Sequence, residues 1–310
     1  GSSYFLGGTT FEMEYEGLAE GEVTATATNS TMKIFALRAS GISGAKSLRF
    51  AVWNTSDESV QKWYTASQTG STWNASVSVS DFGKSGLYRV HAYATDSLGR
   101  ETFVGGTTFT VTGPTASGLE VTQEDTLSGT FRIKIEGVSS PAGITEVQVG
   151  AWTKDNQEDL YWYTAAKESD GSYYVDIKTV NHDYNYGIYI THVYVTDGNG
   201  IREYVAGDRI EFYLPSLKTY YRLNSDETYF AVYAENLPLN GIREVRVAVW
   251  SQDGGQDDLR WYTMNQEASG RWSMSAPLSN HKSSGLYYAH IYLTDYSGSS
   301  VYIGGTTFTV

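Results

Sequence analysis

The residues of this chain that could do chemistry recur in columns. Five histidines stand in two of them: His91, His192 and His290 in one, His182 and His281 in the other. Carboxylate pairs recur as Asp57-Glu58, Glu158-Asp159 and Asp257-Asp258, and single aspartates as Asp96, Asp197 and Asp295. A serine hydrolase needs a nucleophile beside its base, yet no serine recurs at a position matched to His91 and Asp96. A glycosidase needs two carboxylates facing each other across a cleft. The recurrent pairs instead sit in a turn before a tryptophan, where acidic residues are ordinarily solvated turn formers. Neither a D-x-D-x-D-G loop nor H-E-x-x-H is present. Glycine three residues after each single aspartate marks a strand-to-strand turn, with a calcium loop as the lesser alternative. The expectation is a segment that is no enzyme, with no catalytic residues, no metal site and no cofactor.

The remaining chemistry is that of aromatic surfaces. All eight tryptophans fall into three columns: Trp53, Trp152 and Trp250; Trp63, Trp162 and Trp261; and Trp73 with Trp272, Tyr173 filling the gap. Flat aromatic faces dock against the apolar faces of sugar rings, and polar neighbours bond the hydroxyls. The candidate ligand-binding residues are Trp53, Trp63, His91 and Tyr93, with Trp152, Trp162, His192 and Tyr194, and Trp250, Trp261, His290 and Tyr292. One such site is weak, but several facing a polymer raise avidity by about 10²–10⁴.

The elements that must carry these residues form a repeat. Gly86-Leu-Tyr88-Arg-Val-His91-Ala-Tyr93-Ala-Thr95-Asp96 returns from Gly187 to Asp197 and again from Gly285 to Asp295, at identical internal spacing. A period near 100 residues is too long for a solenoid unit and suits an independent sandwich. About seven short alternating strands per period, bounded by turn residues, predict an all-β fold, a tandem array of three immunoglobulin-like β-sandwich modules. Gly86-Leu87-Tyr88 has the look of a tyrosine corner. The closing strand Val104–Val111 returns as Ile303–Val310, and Leu6–Phe11 copies its start. Residues 1–17 are therefore expected to be the tail strand of a preceding repeat and a linker, with modules over 18–112, 113–214 and 215–310.

Period-2 alternation assigns the faces. On the sixth strand Tyr88, Val90, Ala92 and Ala94 point to the core and His91 and Tyr93 away from it. On the third strand Phe50 and Val52 point inward, and Trp53 outward beside the small Ala51. A repeated sandwich tryptophan is equally often a core residue, and one bulge would reverse this parity. For the Trp73 column, after a turn glycine, core packing is the expectation.

Composition narrows the partners. The 310 residues carry a net charge of −13, which repels phosphate backbones and anionic lipid, so neither nucleic acid nor membrane insertion is expected. Cysteine is absent, which removes disulfides, thiolate zinc and cysteine nucleophiles together. A monomer is the expected state.

The combination Ala248-Val249-Trp250-Ser251, Gly255 through Thr263 (with Asp257-Asp258-Leu259 and Trp261-Tyr262-Thr263), Asn280-His281 and Gly285-x-Tyr287 through Thr294-Asp295 resembles the group B streptococcal Bsp-like repeat. The resemblance spans all three modules and is strongest in the third. The first departs from it, with Asp57–Lys62 in place of the acidic-Leu turn and Phe82 or Gly83 near the Asn-His position. It implies repeats of streptococcal surface proteins and peptidoglycan hydrolases, set beside a separate catalytic domain. The implied role is cell-wall binding, to peptidoglycan or wall glycan, in a secreted, wall-associated autolysin or surface protein. An adhesin for a host protein or glycan, and a passive stalk, are the alternatives.

Overall fold

The computed structural model describes residues 3–4, 8–10, 17–281, 283–296 and 298–310. Of the tail strand expected at 6–11, residues 6, 7 and 11 lie outside the described residues and 8–10 belong to no strand. Strands follow one another in three sets of eight. The first is β1 (Glu22–Ala27), β2 (Ile34–Ser40), β3 (Ser47–Asn54), β4 (Lys62–Thr65), β5 (Ser67–Thr69), β6 (Thr72–Ser78), β7 (Gly86–Thr95) and β8 (Glu101–Val111). The second is β9 (Gly118–Asp125), β10 (Thr130–Glu136), β11 (Ile144–Trp152), β12 (Tyr161–Thr164), β13 (Ala166–Lys167), β14 (Tyr173–Lys178), β15 (Gly187–Asp197) and β16 (Arg202–Phe212). The third is β17 (Lys218–Leu223), β18 (Tyr229–Glu235), β19 (Ile242–Ser251), β20 (Arg260–Thr263), β21 (Asn265–Gln266), β22 (Trp272–Pro277), β23 (Leu286–Asp295) and β24 (Ser300–Thr309).

Each set builds two four-stranded sheets in the same order, β1-β2-β6-β5 and β4-β3-β7-β8 in the first. This is the immunoglobulin-like arrangement the alternation predicts, with one strand more per set than expected. The extra strand arises because β20 stops at Thr263 and the chain then adds β21 to the opposite sheet. The crossing is pinned by the residue between them: the Met264 amide still donates to Val245 O at 2.8 Å, as Ala66 does to Leu48 O at 2.9 Å.

The described residues form two compact units, one of 1–115, 139–146 and 195–203, the other of 116–138, 147–194 and 204–310. In the first, Phe35, Leu37, Phe50, Val52, Trp73, Tyr88, Val90 and Phe109 fill the space between the sheets. The inward residues assigned by alternation, Tyr88, Val90, Ala92 and Ala94, are fully buried. Ile201 joins this core, and the Ser85 hydroxyl bonds the Glu203 carboxylate. In the second unit Phe230, Val247, Val249, Met274, Tyr287 and Phe308 make the corresponding core. The Tyr88 hydroxyl donates to Lys84 O at 2.7 Å, Tyr189 to Asn185 O at 2.7 Å and Tyr287 to Ser283 O, three tyrosine corners that fix the entry of β7, β15 and β23.

The recurrent aspartates close the last hairpin. Asp96 Oδ1 accepts from the amides of Leu98 (2.8 Å) and Arg100 (3.0 Å), and Asp197 Oδ1 from Asn199 (2.8 Å) and Ile201 (3.1 Å). A bulge then interrupts β8 at Gly105 and β24 at Gly304, with φ of 138° and 145°. A side chain at Gly105 would also stand 2.9 Å from Gly21 O, so glycine serves both needs there.

Candidate functional site

The outer face of the β4-β3-β7-β8 sheet carries a ladder of rings. Trp53 meets His91 edge-on at 4.7 Å between centroids; His91 meets Phe103 at 5.0 Å; Phe103 meets Tyr93 at 5.7 Å; Tyr93 meets Trp63 at 5.5 Å. The second set repeats it as Trp152–His192 (4.8 Å), His192–Tyr204 (4.9 Å), Tyr204–Tyr194 (5.8 Å) and Tyr194–Trp162 (5.5 Å). The third gives Trp250–His290 (4.6 Å), His290–Tyr302 (4.9 Å), Tyr302–Tyr292 (5.6 Å) and Tyr292–Trp261 (5.1 Å). Small residues make room for the rings: a Cβ on Gly106 would come 3.1 Å from His91, and one on Gly150 3.1 Å from Trp162.

Each of the twelve residues singled out in the sequence therefore lies on a ladder, but not equally open. Trp63, Trp162 and Trp261 are 45%, 43% and 44% exposed, whereas Trp152 is only 9% exposed and Trp53 and Trp250 are half-buried. The Trp53 column faces away from the centre of the sandwich as the parity assigns it, each indole packing edge-on against the neighbouring histidine, and of the three only Trp152 is nearly closed to solvent. Arg49 lies 3.9 Å over Trp63 and Arg246 4.9 Å over Trp261, and Glu101 holds the Arg49 fork at 2.7 and 2.8 Å. Burial, followed by the charge of Arg89, pushes the His91 imidazole pKa below its usual value.

Phe103, Tyr204 and Tyr302 complete the ladders and escaped the sequence reading. Their signal was present as an aromatic column with the same step as His91, His192 and His290. The Trp73 column is core, with Trp73 4% exposed, as expected.

A second constellation lies under the sheets. His182 Nδ1 donates to Asp159 O at 2.9 Å, and the Tyr163 hydroxyl donates to His182 Nε2 at 2.9 Å while accepting from Asn181 Nδ2 at 3.1 Å. In the third set His281 Nδ1 donates to Asp258 Oδ2 at 3.2 Å, Tyr262 to His281 Nε2 at 3.1 Å, and Asn280 to the Tyr262 hydroxyl at 3.2 Å. The carboxylates read as solvated turn formers are thus buried, Asp159 6% and Asp258 7% exposed. They fold back to receive the amides ending the third strand of their set: Thr153 (2.9 Å) and Lys154 (3.0 Å) for Asp159, Ser251 (2.9 Å) for Asp258. Burial raises the Asp159 pKa, but the bonds from Thr153 and Lys154 outweigh it and hold the group below the usual carboxylate value. Burial likewise pushes His182 and His281 below the usual histidine value, against the pull of Asp159 and Asp258. Relays of this kind serve catalysis when they open on a cleft. His182 is wholly buried and His281 7% exposed, so here the relay is a brace.

The profile of the GBS Bsp-like repeat matches the chain three times, at residues 23–109, 120–210 and 219–308. The chain belongs to the GBS Bsp-like repeat family. No curated protein matches it significantly in sequence. Among solved structures it is similar to a tetra-tandem repeat from the extending region of a large adhesion protein, at 15% identity and TM-score 0.31, covering 94% of this chain and 74% of that one. It is similar also to a bacterial ice-binding adhesin (14% identity, TM-score 0.26, 94% and 98% covered) and to the FN1–FN3 domains of chicken CNTN1 (12%, 0.27, 94% and 98%). Across the three Bsp-like repeats the ring ladder is constant, whereas the buried Asp-His-Tyr brace belongs to the second and third.

Among the described residues no helix is long and apolar enough to cross a membrane, and no group of three or more histidine, aspartate or glutamate side chains is placed to hold a metal ion.

Proposed function

We propose that these Bsp-like repeats are the non-catalytic, wall-glycan-binding segment of a secreted cell-surface protein of the autolysin or surface-protein kind. The observation that carries this reading is the ladder of rings on the same sheet face of every repeat. Each ladder sets a largely open tryptophan (Trp63, Trp162, Trp261) next to polar ring atoms of histidine and tyrosine, which suits the two kinds of surface a sugar presents. Three copies on one chain suit a polymer, because linked weak sites gain effective concentration. The carboxylate-histidine relays are sealed inside the second and third repeats, which favours a binding role for the surface.

Retention on purified streptococcal cell walls tests the proposal. The chain should be pulled down, and the triple substitution Trp63→Ala, Trp162→Ala, Trp261→Ala should lower the bound fraction by about tenfold or more through lost avidity, with the fold kept. No retention on any wall preparation, or retention indifferent to the triple substitution, removes the reading. The covered state of Trp152 favours a second one, in which the ladders brace a spacer: edge-to-face ring pairs stabilise by about 0.5–1.5 kcal/mol each. That spacer binds neither wall nor host matrix.

A further inference from the structure

The second unit holds a cleft of about 540 Å³ away from the ladders. Its walls come from the segment after β14 and from the loops before β19 and after β23, and they present Tyr184, Tyr186, Tyr296, Asp183, Asp295 and Asn240. Three tyrosine rings in one cleft, with Tyr296 69% exposed, is an unusual amount of aromatic surface to leave open to water.

The backbone here is held in a costly form. From the corner tyrosine back to the preceding β-rich segment, the second repeat has one residue more than the first: Asp183-Tyr184 stands where the first has Gly83 alone. Gly83 has φ 61°, and Asp183 and Tyr184 both share that left-handed conformation, at 56° and 59°. Such a conformation is unfavourable for a bulky residue and persists only where its surroundings impose it. The Tyr184 amide donates to Thr179 O at 2.8 Å, and the ring lies so close to Gly241 that a Cβ there would stand 2.7 Å from it. Asn240 is fixed by its bond to Ser128 O (3.1 Å), Tyr186 by its bond to Thr126 O (3.0 Å), and Asp183 by Lys154 Nζ (2.7 Å). The strain thus holds a tyrosine ring at the mouth of a preformed cleft.

We propose that this cleft binds a short run of uncharged sugar residues. Its volume is in the range of ordinary ligand sites, about 300–1,000 Å³. Tyrosine rings and amide and carboxylate groups match the faces and hydroxyls of a sugar. Among the described residues the lining contains two carboxylates and no lysine or arginine, which disfavours an anionic ligand. The inference rests on the glycan-binding reading and adds a separate site of a stated ligand class to it.

The test uses the full chain, ¹⁵N-labelled, titrated with tri-N-acetylchitotriose and, separately, with trigalacturonate. The uncharged trimer should shift the amides of Tyr184, Gly241 and Tyr296 saturably, and trigalacturonate should leave them unmoved. Tyr296→Ala and Tyr184→Gly should each weaken binding about tenfold. Glycine adopts the left-handed conformation freely, so Tyr184→Gly should do this without lowering the melting temperature. Shifts confined to ladder amides overturn this inference and leave wall binding standing. Absence of shifts at both places, together with no wall retention, overturns both. Cleft shifts that neither substitution weakens, or that trigalacturonate also produces, overturn the ligand assignment.

Discussion

The first and second repeats solve the same burial problem differently, beneath Tyr64 in one and Tyr163 in the other. In the second, the Tyr163 hydroxyl donates to the His182 imidazole and accepts from the Asn181 amide, and the imidazole in turn donates to Asp159 O. In the first, Val60 stands in the place of that aspartate, Phe82 in that of the histidine and Asp81 in that of the asparagine. The Tyr64 hydroxyl then donates to Asp81 Oδ2 at 2.9 Å, and Phe82 packs edge-on against Tyr88 at 5.2 Å. The histidine and asparagine replacements go together because the tyrosine hydroxyl must keep an acceptor: once the imidazole is gone, the Asp81 carboxylate supplies it. One fold therefore tolerates either a polar brace, satisfied throughout, or an apolar plug.

The largest effect should come from deleting the brace. His182→Ala opens a cavity and leaves the Tyr163 hydroxyl and the Asp159 carbonyl short of a partner, for a loss of about 3 kcal/mol, measured by hydrogen exchange of the β15 amides. Phe82→Ala, at a half-buried ring, should cost the first repeat about 1–2 kcal/mol. Equal losses would mean that the two pockets are energetically alike.

Next in size is removal of the hydroxyl alone. Tyr163→Phe should cost about 2 kcal/mol, since it strands a buried imidazole nitrogen. Tyr64→Phe should cost about 0.5 kcal/mol, because Asp81 is exposed and water replaces the lost donor. A large penalty at Tyr64 would contradict the picture.

The smallest effect is that of pH. His182 and His281 have depressed pKa values in the folded chain, so the unfolded chain binds more protons, and stability is full above the ordinary histidine value of about 6.5. It should fall as pH drops through the depressed folded values, and Asp159 adds a further loss at more acid pH because its folded value is lowered too. The first repeat has only the partly exposed His91 to contribute. Melting curves between pH 7.5 and 5.5 should shift for the second and third repeats more than for the first, and His182→Phe should flatten the second. A parallel shift in all three would assign the dependence to the ladder histidines instead.

The sandwich was legible because strand parity is a local property. Tyr88, Val90, Ala92 and Ala94 announce their shared face by spacing alone, and the inward turn of Trp73 follows from the same rule. The ladder was legible only in part, because the bulge at Gly105 shifts the register of β8 and hides the fact that Phe103 faces His91. The brace was not legible. Nothing in the order Glu158-Asp159 tells that the second carboxylate turns back to the Thr153 amide, since that choice is made by a loop closing on itself in three dimensions. How far the Trp53 column is covered was not legible for a related reason: facing away from the core is a matter of parity, but being covered depends on the neighbouring strand.

The closing strands carry a last consequence. β8 and β24 share Gly-Gly-Thr-Thr-Phe-Thr and lie in matching register, Phe109 opposite Tyr88 and Phe308 opposite Tyr287. β16 differs, with Asp208 and Arg209 in that stretch, and Thr191, where the first repeat has Val90, clasps the Asp208 backbone at 3.1 and 3.3 Å. Strand exchange between like domains is the characteristic misassembly of tandem chains during synthesis. Here the two described copies of the closing strand, β8 and β24, are separated along the chain by a whole intervening domain whose own closing strand has a different sequence, which works against exchange between that pair.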